Sequence, residues 1–459
     1  MTGRQGPAFS RRSLIGAGLG ISALGLAAAG SGQAVAAGTG RGSAPARGRA
    51  FLAAAMDAYP DHGGIRLTQS YTDQAGLFST AFTYDNALAI LAHLAARTPG
   101  GLSRAMALGD ALLYAQSHDP AYDDGRLRQA YNVGPYTFYD GSRQPDGFVR
   151  ADGSANVGTQ FGFTGTAVGD MAWAGIALSA LASRTKARRF LAGAVRIGEW
   201  IERTGRTDEP LGGYKFGVDG ENQKLPFTST EHNTDLVCLF GRLARLTGDR
   251  VWRERRGRAE AFVRRMWEPS GGFFYTGTND GVTVNKSPVP EDTQTWTHLA
   301  LGSAGRGSSR SLDWAAAELA VLDHAGRRNS TVPAGQSYEG VTFSSASLVA
   351  NEDAPIAEGQ PRPDRDAVWF EGTAHLALAL RDRGDEARAR RLIASIEQAQ
   401  DLLGGGQTVG GKALPERAGV VSASSPLDTG FGFGYYPYRH TGATAWYLMA
   451  AARFNPLQA

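Results

Sequence analysis

Cysteine is almost missing from this 459-residue chain: Cys238 is the single one, set in the apolar run Leu236-Val237-Cys238-Leu239-Phe240. One cysteine makes no intrachain disulfide and no Cys-ligated zinc site, so it reads as a small buried hydrophobe. Histidine is sparse too, at 8 residues. None stands in an H-E-x-x-H or Cys/His metal spacing, so neither metal nor cofactor is expected. A G-x-S-x-G nucleophile elbow is absent. The phosphate-loop look of Gly406-Gln407-Thr408-Val409-Gly410-Gly411-Lys412-Ala413 fails because Ala413 stands where the hydroxyl residue belongs. Asp119, Asp123 and Asp124 do not fit an EF-hand loop. Beyond the N-terminus no stretch approaches the ~20 apolar residues of a membrane span.

Net charge is also scarce. The whole chain carries +3, and residues 1–37 hold Arg4, Arg11 and Arg12 with no acid, so the remainder is neutral. Nucleic acid is therefore not an expected partner. The arginines have another reading. Ser10-Arg11-Arg12-Ser13-Leu14-Ile15 is a twin-arginine signature, followed by an Ala/Gly/Leu-rich stretch and an Ala34-Val35-Ala36 cleavage site. The expected organisation is a signal peptide over 1–36, a flexible Gly/Ala/Ser/Pro-rich leader over 37–48, and one domain over 49–459. The expected product is a monomer exported by the twin-arginine route to the medium or the cell envelope.

What is plentiful is helical periodicity. Six times a polar or aromatic cluster opens an apolar helical stretch, at intervals of roughly 60–85 residues, which marks a repeat architecture. The openings are Thr83-Tyr84-Asp85-Asn86, Gly169-Asp170-Met171-Ala172-Trp173, Ser229-Thr230-Glu231-His232-Asn233-Thr234-Asp235, Glu291-Asp292-Thr293-Gln294-Thr295-Trp296, Val368-Trp369-Phe370-Glu371-Gly372-Thr373 and Arg439-His440-Thr441-Gly442. The stretches they open, about 85–96, 170–183, 231–246, 292–302, 369–381 and 441–453, are apolar nearly all round and so are expected to be buried. They alternate with amphipathic, charged stretches at 47–58, 103–116, 186–203, 250–267, 312–325 and 385–402. Six buried helices alternating with six half-wet ones predict an all-α (α/α)6 toroid. Long loops and small hairpins should gather at one face, among them a strand–turn–strand over 271–285.

Parallel inner helices put their N-termini on that face, so Asp85, Asp170, Glu231, Asp292 and Glu371 should converge on a cavity. Paired carboxylates suit glycoside cleavage, one giving a proton to the leaving oxygen while the other activates water or attacks the sugar. An acid in a first helical turn also stabilises the helix by ~0.3–1 kcal/mol. Asp85 and Asp170 are thus equally caps or ligands of sugar hydroxyls, whereas Glu is a poor N-cap, which singles out Glu231 and Glu371. Glu231, with His232 and Asp235 beside it, is the expected general acid, and Asp292 or Glu371 the opposing base or nucleophile. Tyr84, Trp296, Trp369, Tyr435 and Tyr436 could stack on sugar faces, with Trp369 the leading platform. Trp173 and Trp446 read better as core. His232 and His440 either orient a carboxylate, bind a hydroxyl or pack as core residues.

Taken together, the openings Thr83-Tyr84-Asp85-Asn86-Ala87-Leu88, Ser229 to Leu236, Val368 to Ala374 and His440 to Trp446 resemble the six-hairpin glycosidase superfamily. The likest members are secreted glycoside-hydrolase-like toroids of actinobacteria and proteobacteria. The resemblance covers most of residues 50–456. It implies a secreted glycoside hydrolase acting on an extracellular polysaccharide or oligosaccharide. A β-glucan is suggested because endo-acting β-glucanases share the architecture. A polysaccharide lyase, a sugar epimerase and a non-catalytic glycan-binding envelope protein remain alternatives on the same fold.

Overall fold

A computed structural model of the chain describes residues 42–60, 62–302 and 308–458. The expected signal peptide and the first residues of the leader lie outside the described residues. Twelve α-helices run through the described part: α1 (Ala44–Met56), α2 (Thr83–Ala95), α3 (Pro99–Ser117), α4 (Val168–Thr185), α5 (Arg188–Gly205), α6 (Thr230–Thr247), α7 (Val251–Arg265), α8 (Glu291–Leu301), α9 (Ser308–Glu318), α10 (Phe370–Arg383), α11 (Glu386–Leu402) and α12 (Thr441–Ala451). The even-numbered helices pack each on the next, and α12 returns to α2, closing a ring. The odd-numbered helices lie outside it, each against an inner neighbour. This is the (α/α)6 toroid.

Side-chain patterning explains the two layers. In α4 every residue from Val168 to Ala182 is buried, as a helix enclosed on all sides requires. In α5 burial recurs at Phe190, Gly193, Ala194, Ile197, Trp200 and Ile201, a single stripe at spacings of three and four. Two boundaries differ from the sequence expectation. The leader is shorter, because α1 starts at Ala44 with a proline in its first turn and docks on α12. The outer helix expected over 312–325 ends at Glu318. Ala320–His324 instead alternates exposed and buried residues, and pairs antiparallel with Ser337–Val341. The hairpin expected over 271–285 is narrower: Gly277–Thr278 pairs with Val284–Asn285 on one side and with Thr228–Ser229 on the other.

A six-fold backbone device aligns the inner helices. The first N–H of each, a group with no intrahelical partner, donates to a carbonyl in the segment that follows the next outer helix. Thr83 bonds Gln129, Val168 bonds Phe216, Thr230 bonds Thr276, Glu291 bonds Phe343, Phe370 bonds Ser422 and Thr441 bonds Ser70, all at 2.7–3.1 Å. Two residues earlier, each of those segments donates an N–H to the side chain at the fourth position of the following inner helix. Thr68 bonds Asn86, Leu127 bonds the sulfur of Met171, Tyr214 bonds Asn233, Phe274 bonds Gln294, Val341 bonds Thr373 and Val420 bonds Thr444. Every segment thus ties two adjacent inner helices at the same height, and their N-termini share one face of the ring.

Candidate active site

The shared height dictates what reaches the axis. The second residues of the six inner helices are Tyr84, Gly169, Glu231, Asp292, Glu371 and Gly442. Four of these line a pocket of about 730 Å³, counting its open mouth, at the N-terminal face: Tyr84, Glu231, Asp292 and Glu371. Asp170, third in its helix, joins them because Gly169 has no side chain there. Trp296, Trp369, Tyr435, Phe343, Phe431 and Phe433 supply aromatic walls, and Phe82, Gln129, Ser229, Thr276 and Pro290 complete the lining. Among the described lining residues there are four carboxylates and no Lys, Arg or His.

One turn further in lies the floor. Trp173, Trp296, His375 and Trp446 meet there, with ring centroids 4.3–5.7 Å apart. Trp173 and Trp446 are core residues, fully buried. Trp446 donates its indole N–H to the Tyr84 oxygen at 3.0 Å, and Tyr84 donates its hydroxyl to Glu371 Oε1 at 2.7 Å. The floor therefore fixes the position of a carboxylate in the pocket.

The structure separates residues that look alike in sequence. Glu231, Asp292, Glu371, Tyr84, Asp170, Trp296, Trp369 and Tyr435 line the cavity together. Asp85, His232, Asp235 and His440, placed by the sequence among candidate sugar ligands, are fully buried and not in the lining. His232 packs its ring 4.3 Å from Phe216, and Asp235 lies one helical turn below Glu231. Asp85 and His440 are bonded to each other at 3.1 Å behind Glu371. Trp369, the expected platform, is 2% exposed. It lines the pocket while its ring packs on Phe343, Tyr435 and His375.

Sequence reasoning passed over Gln129, Thr276 and Phe343. In all three the backbone carbonyl accepts the first N–H of an inner helix, so the repeat register was the signal that could have found them. It also passed over the pair beneath the pocket, Glu291 and His375, both fully buried with Oε2 and Nδ1 3.1 Å apart. Burial, then the neighbouring Asp292 and Glu371, push the Glu291 carboxyl well above the usual carboxylate range. Burial thus favours the neutral form of Glu291 beside His375.

Among the described residues no group of three or more His, Cys, Asp or Glu is placed to hold a metal ion. None of their helices is long and apolar enough to cross a membrane.

No protein-family model matches the chain, and no curated protein matches it by sequence. Solved structures do match. A sugar epimerase from a ruminal bacterium superposes with a TM-score of 0.56 at 10% identity, covering 89% of this chain and 98% of that one. A family 76 glycoside hydrolase from a bovine Bacteroides thetaiotaomicron strain gives 0.55 at 11%, covering 90% and 77%. A glycosidase variant in complex with glucose gives 0.51 at 12%, covering 91% and 98%. Glycosidase structures with a tyrosine-to-phenylalanine or another glutamate-to-alanine replacement also match. With its closed double ring of helices, the chain has the (α/α)6 toroid fold that these solved structures share.

Proposed function

We propose that this protein is a glycoside hydrolase acting on a neutral glycan, with a β-glucan the first substrate to test. The observation that carries the reading is the set of carboxylates from three different inner helices, Glu231, Asp292 and Glu371, lining one aromatic-walled pocket. Hydrolysis of a glycosidic bond needs one carboxyl that gives a proton and one carboxylate that activates water or attacks the anomeric carbon. Glu371 has the surroundings of the proton donor. Burial and the facing Asp85 carboxyl favour its neutral form, against the Tyr84 hydroxyl, whose bond to Oε1 favours the carboxylate. Glu231, to which position in the sequence assigned the acid role, then serves as the opposing carboxylate. Asp292 and Asp170 bind sugar hydroxyls, and the aromatic walls stack on the rings. Among the matched structures, glycosidase variants replace a tyrosine and either of two glutamates.

The charge of the lining favours hydrolysis of an uncharged sugar over β-elimination. A lyase binds a uronate, and this pocket offers that anion four carboxylates and no cation. The histidines stand behind the lining, where they cannot abstract a proton from a sugar carbon. The test is a panel of purified glycans assayed for new reducing ends with wild type, Glu231→Gln and Glu371→Gln. Each variant should lose ~10²–10⁴-fold in turnover, the usual worth of general acid–base catalysis. Two outcomes refute the reading: products carrying a new ultraviolet-absorbing double bond, or interconverted sugars with no reducing ends released.

A further inference from the structure

Three side chains, two on inner helices and one capping a third, converge behind the pocket: Glu371, Asp85 and His440. Glu371 Oε2 lies 3.5 Å from His440 Nδ1, and His440 Nε2 lies 3.1 Å from Asp85 Oδ2. His440 caps α12, its Nδ1 accepting the Ala443 N–H at 3.3 Å. That bond requires a lone pair on Nδ1, so the ring proton is on Nε2, donated to Asp85. Tyr71 stacks on the imidazole at 4.1 Å and 11°, fixing its plane. Gly442 leaves the room for the meeting. A Cβ there would lie 2.7 Å from His440 Cε1, 2.8 Å from Glu371 Oε2 and 2.9 Å from Asp85 Oδ1. The two carboxyl oxygens therefore face each other across one methyl-sized gap.

We infer that Asp85 and His440 are positioning residues that hold Glu371 in its protonated form between turnovers. The inference rests on the reading of Glu371 as proton donor. An ionised Glu371 would set Oε2 against both the Nδ1 lone pair and the Asp85 charge. A protonated one removes that repulsion at Oε2 and leaves Oε1 to accept from Tyr84. The other ionisable groups around Glu371 act the same way or are neutral. Asp292 on α8 adds like charge. Burial favours the neutral form of Glu291 on α8, and His375 on α10 has Nδ1 3.1 Å from Glu291 Oε2 and Nε2 3.9 Å from Glu371 Oε1. Tyr71 and Tyr435, beside His440, carry no charge at neutral pH. Neither Asp85 nor His440 lines the pocket, so both act through Glu371 and not on the sugar.

The experiment measures kcat/KM against pH for wild type and Asp85→Asn, with a melting curve for each. Asparagine removes the facing charge and can present an N–H to His440, and both changes make Glu371 easier to ionise. The alkaline limb, where the acid is lost, should move to lower pH by about one unit. Turnover above neutrality should fall ~10-fold, with KM within about twofold of wild type. A folded Asp85→Asn protein with the wild-type profile overturns the inference. If instead Glu371→Gln keeps its rate, the hydrolase assignment falls as well, so the two failures are distinct. Should Asp85→Asn not fold, the ¹⁵N resonances of wild-type histidines decide, with His440 identified by its loss in His440→Asn, which keeps a capping side chain. A proton on Nε2 supports the inference, and a proton on Nδ1 of the resting enzyme overturns it.

Discussion

Gly442→Ala is the most discriminating single change for this site. Alanine in place of a helical glycine ordinarily stabilises by up to ~1 kcal/mol, because it restricts the unfolded chain and favours helix. Gly442 is helical, but its Cβ would enter the gap shared by Glu371, Asp85 and His440, closer than 3.0 Å to an atom of each. Those side chains are buried and tethered to one another and to Tyr84, so they cannot swing away without breaking their bonds. Overpacking of this kind costs ~1–3 kcal/mol. The propensity gain offsets up to ~1 kcal/mol of that, leaving an expected net loss of ~0–2 kcal/mol in a denaturant titration. Glu371 must also shift, and a displacement of about 1 Å at a reacting group lowers turnover ~10²-fold. Gly257 provides the control. It is an exposed glycine inside α7, and an added Cβ there meets nothing within 4 Å. Gly257→Ala should stabilise by up to ~1 kcal/mol and leave activity unchanged. If Gly442→Ala gains stability as Gly257→Ala does and retains full turnover, the packing of the three groups around residue 442 is refuted, and with it the argument for Glu371.

Trp369→Ala should cost ~3–5 kcal/mol of stability, because its ring is enclosed by Phe343, Tyr435 and His375. A melt unchanged beside a weakened glycan titration would show instead the platform suggested by sequence. Asp364 is 2% exposed, and burial, with Asp323, Asp366 and Glu352 nearby, raises its pKa to about 6. Its contribution to stability is present below about pH 4 and lost as pH rises through 6. Asp364→Asn, which keeps the bond from the Asp366 N–H, should therefore stabilise above pH 6, by at most ~3 kcal/mol, and change little below pH 4. Melting temperatures across pH 3–8 check this, and equal gains at both ends would count against it. Changing Arg11 and Arg12 together to Lys should block export if residues 1–36 are a twin-arginine signal. Unimpaired secretion would remove that reading.

The helical plan was legible in the chain because an inner helix of a toroid must be apolar on every side and an outer one on a single stripe. That difference is visible at α4 and α5 without any structure. The clustering of carboxylates was legible for a similar local reason: Glu231, Asp292 and Glu371 all stand in first helical turns, and parallel helices bring first turns to one face. The end of α9 was not legible, since the alternation over Ala320–His324 is too short to override the helical pattern before its partner strand arrives at Ser337–Val341.

Which acids face the pocket was also a tertiary decision. Asp85 and Asp170 are the same residue type at the same third position of their helices. At α2 the second position carries Tyr84, whose side chain occupies the axis, and Asp85 turns to His440. At α4 the second position is Gly169, and Asp170 takes the vacant place. Tyr84 and Gly169 are visible in the sequence, but only the packed ring shows that the second position is the one that reaches the axis. The six-fold segments set every inner helix at one height, and the neighbour each side chain then meets decides whether it faces the pocket or packs behind it.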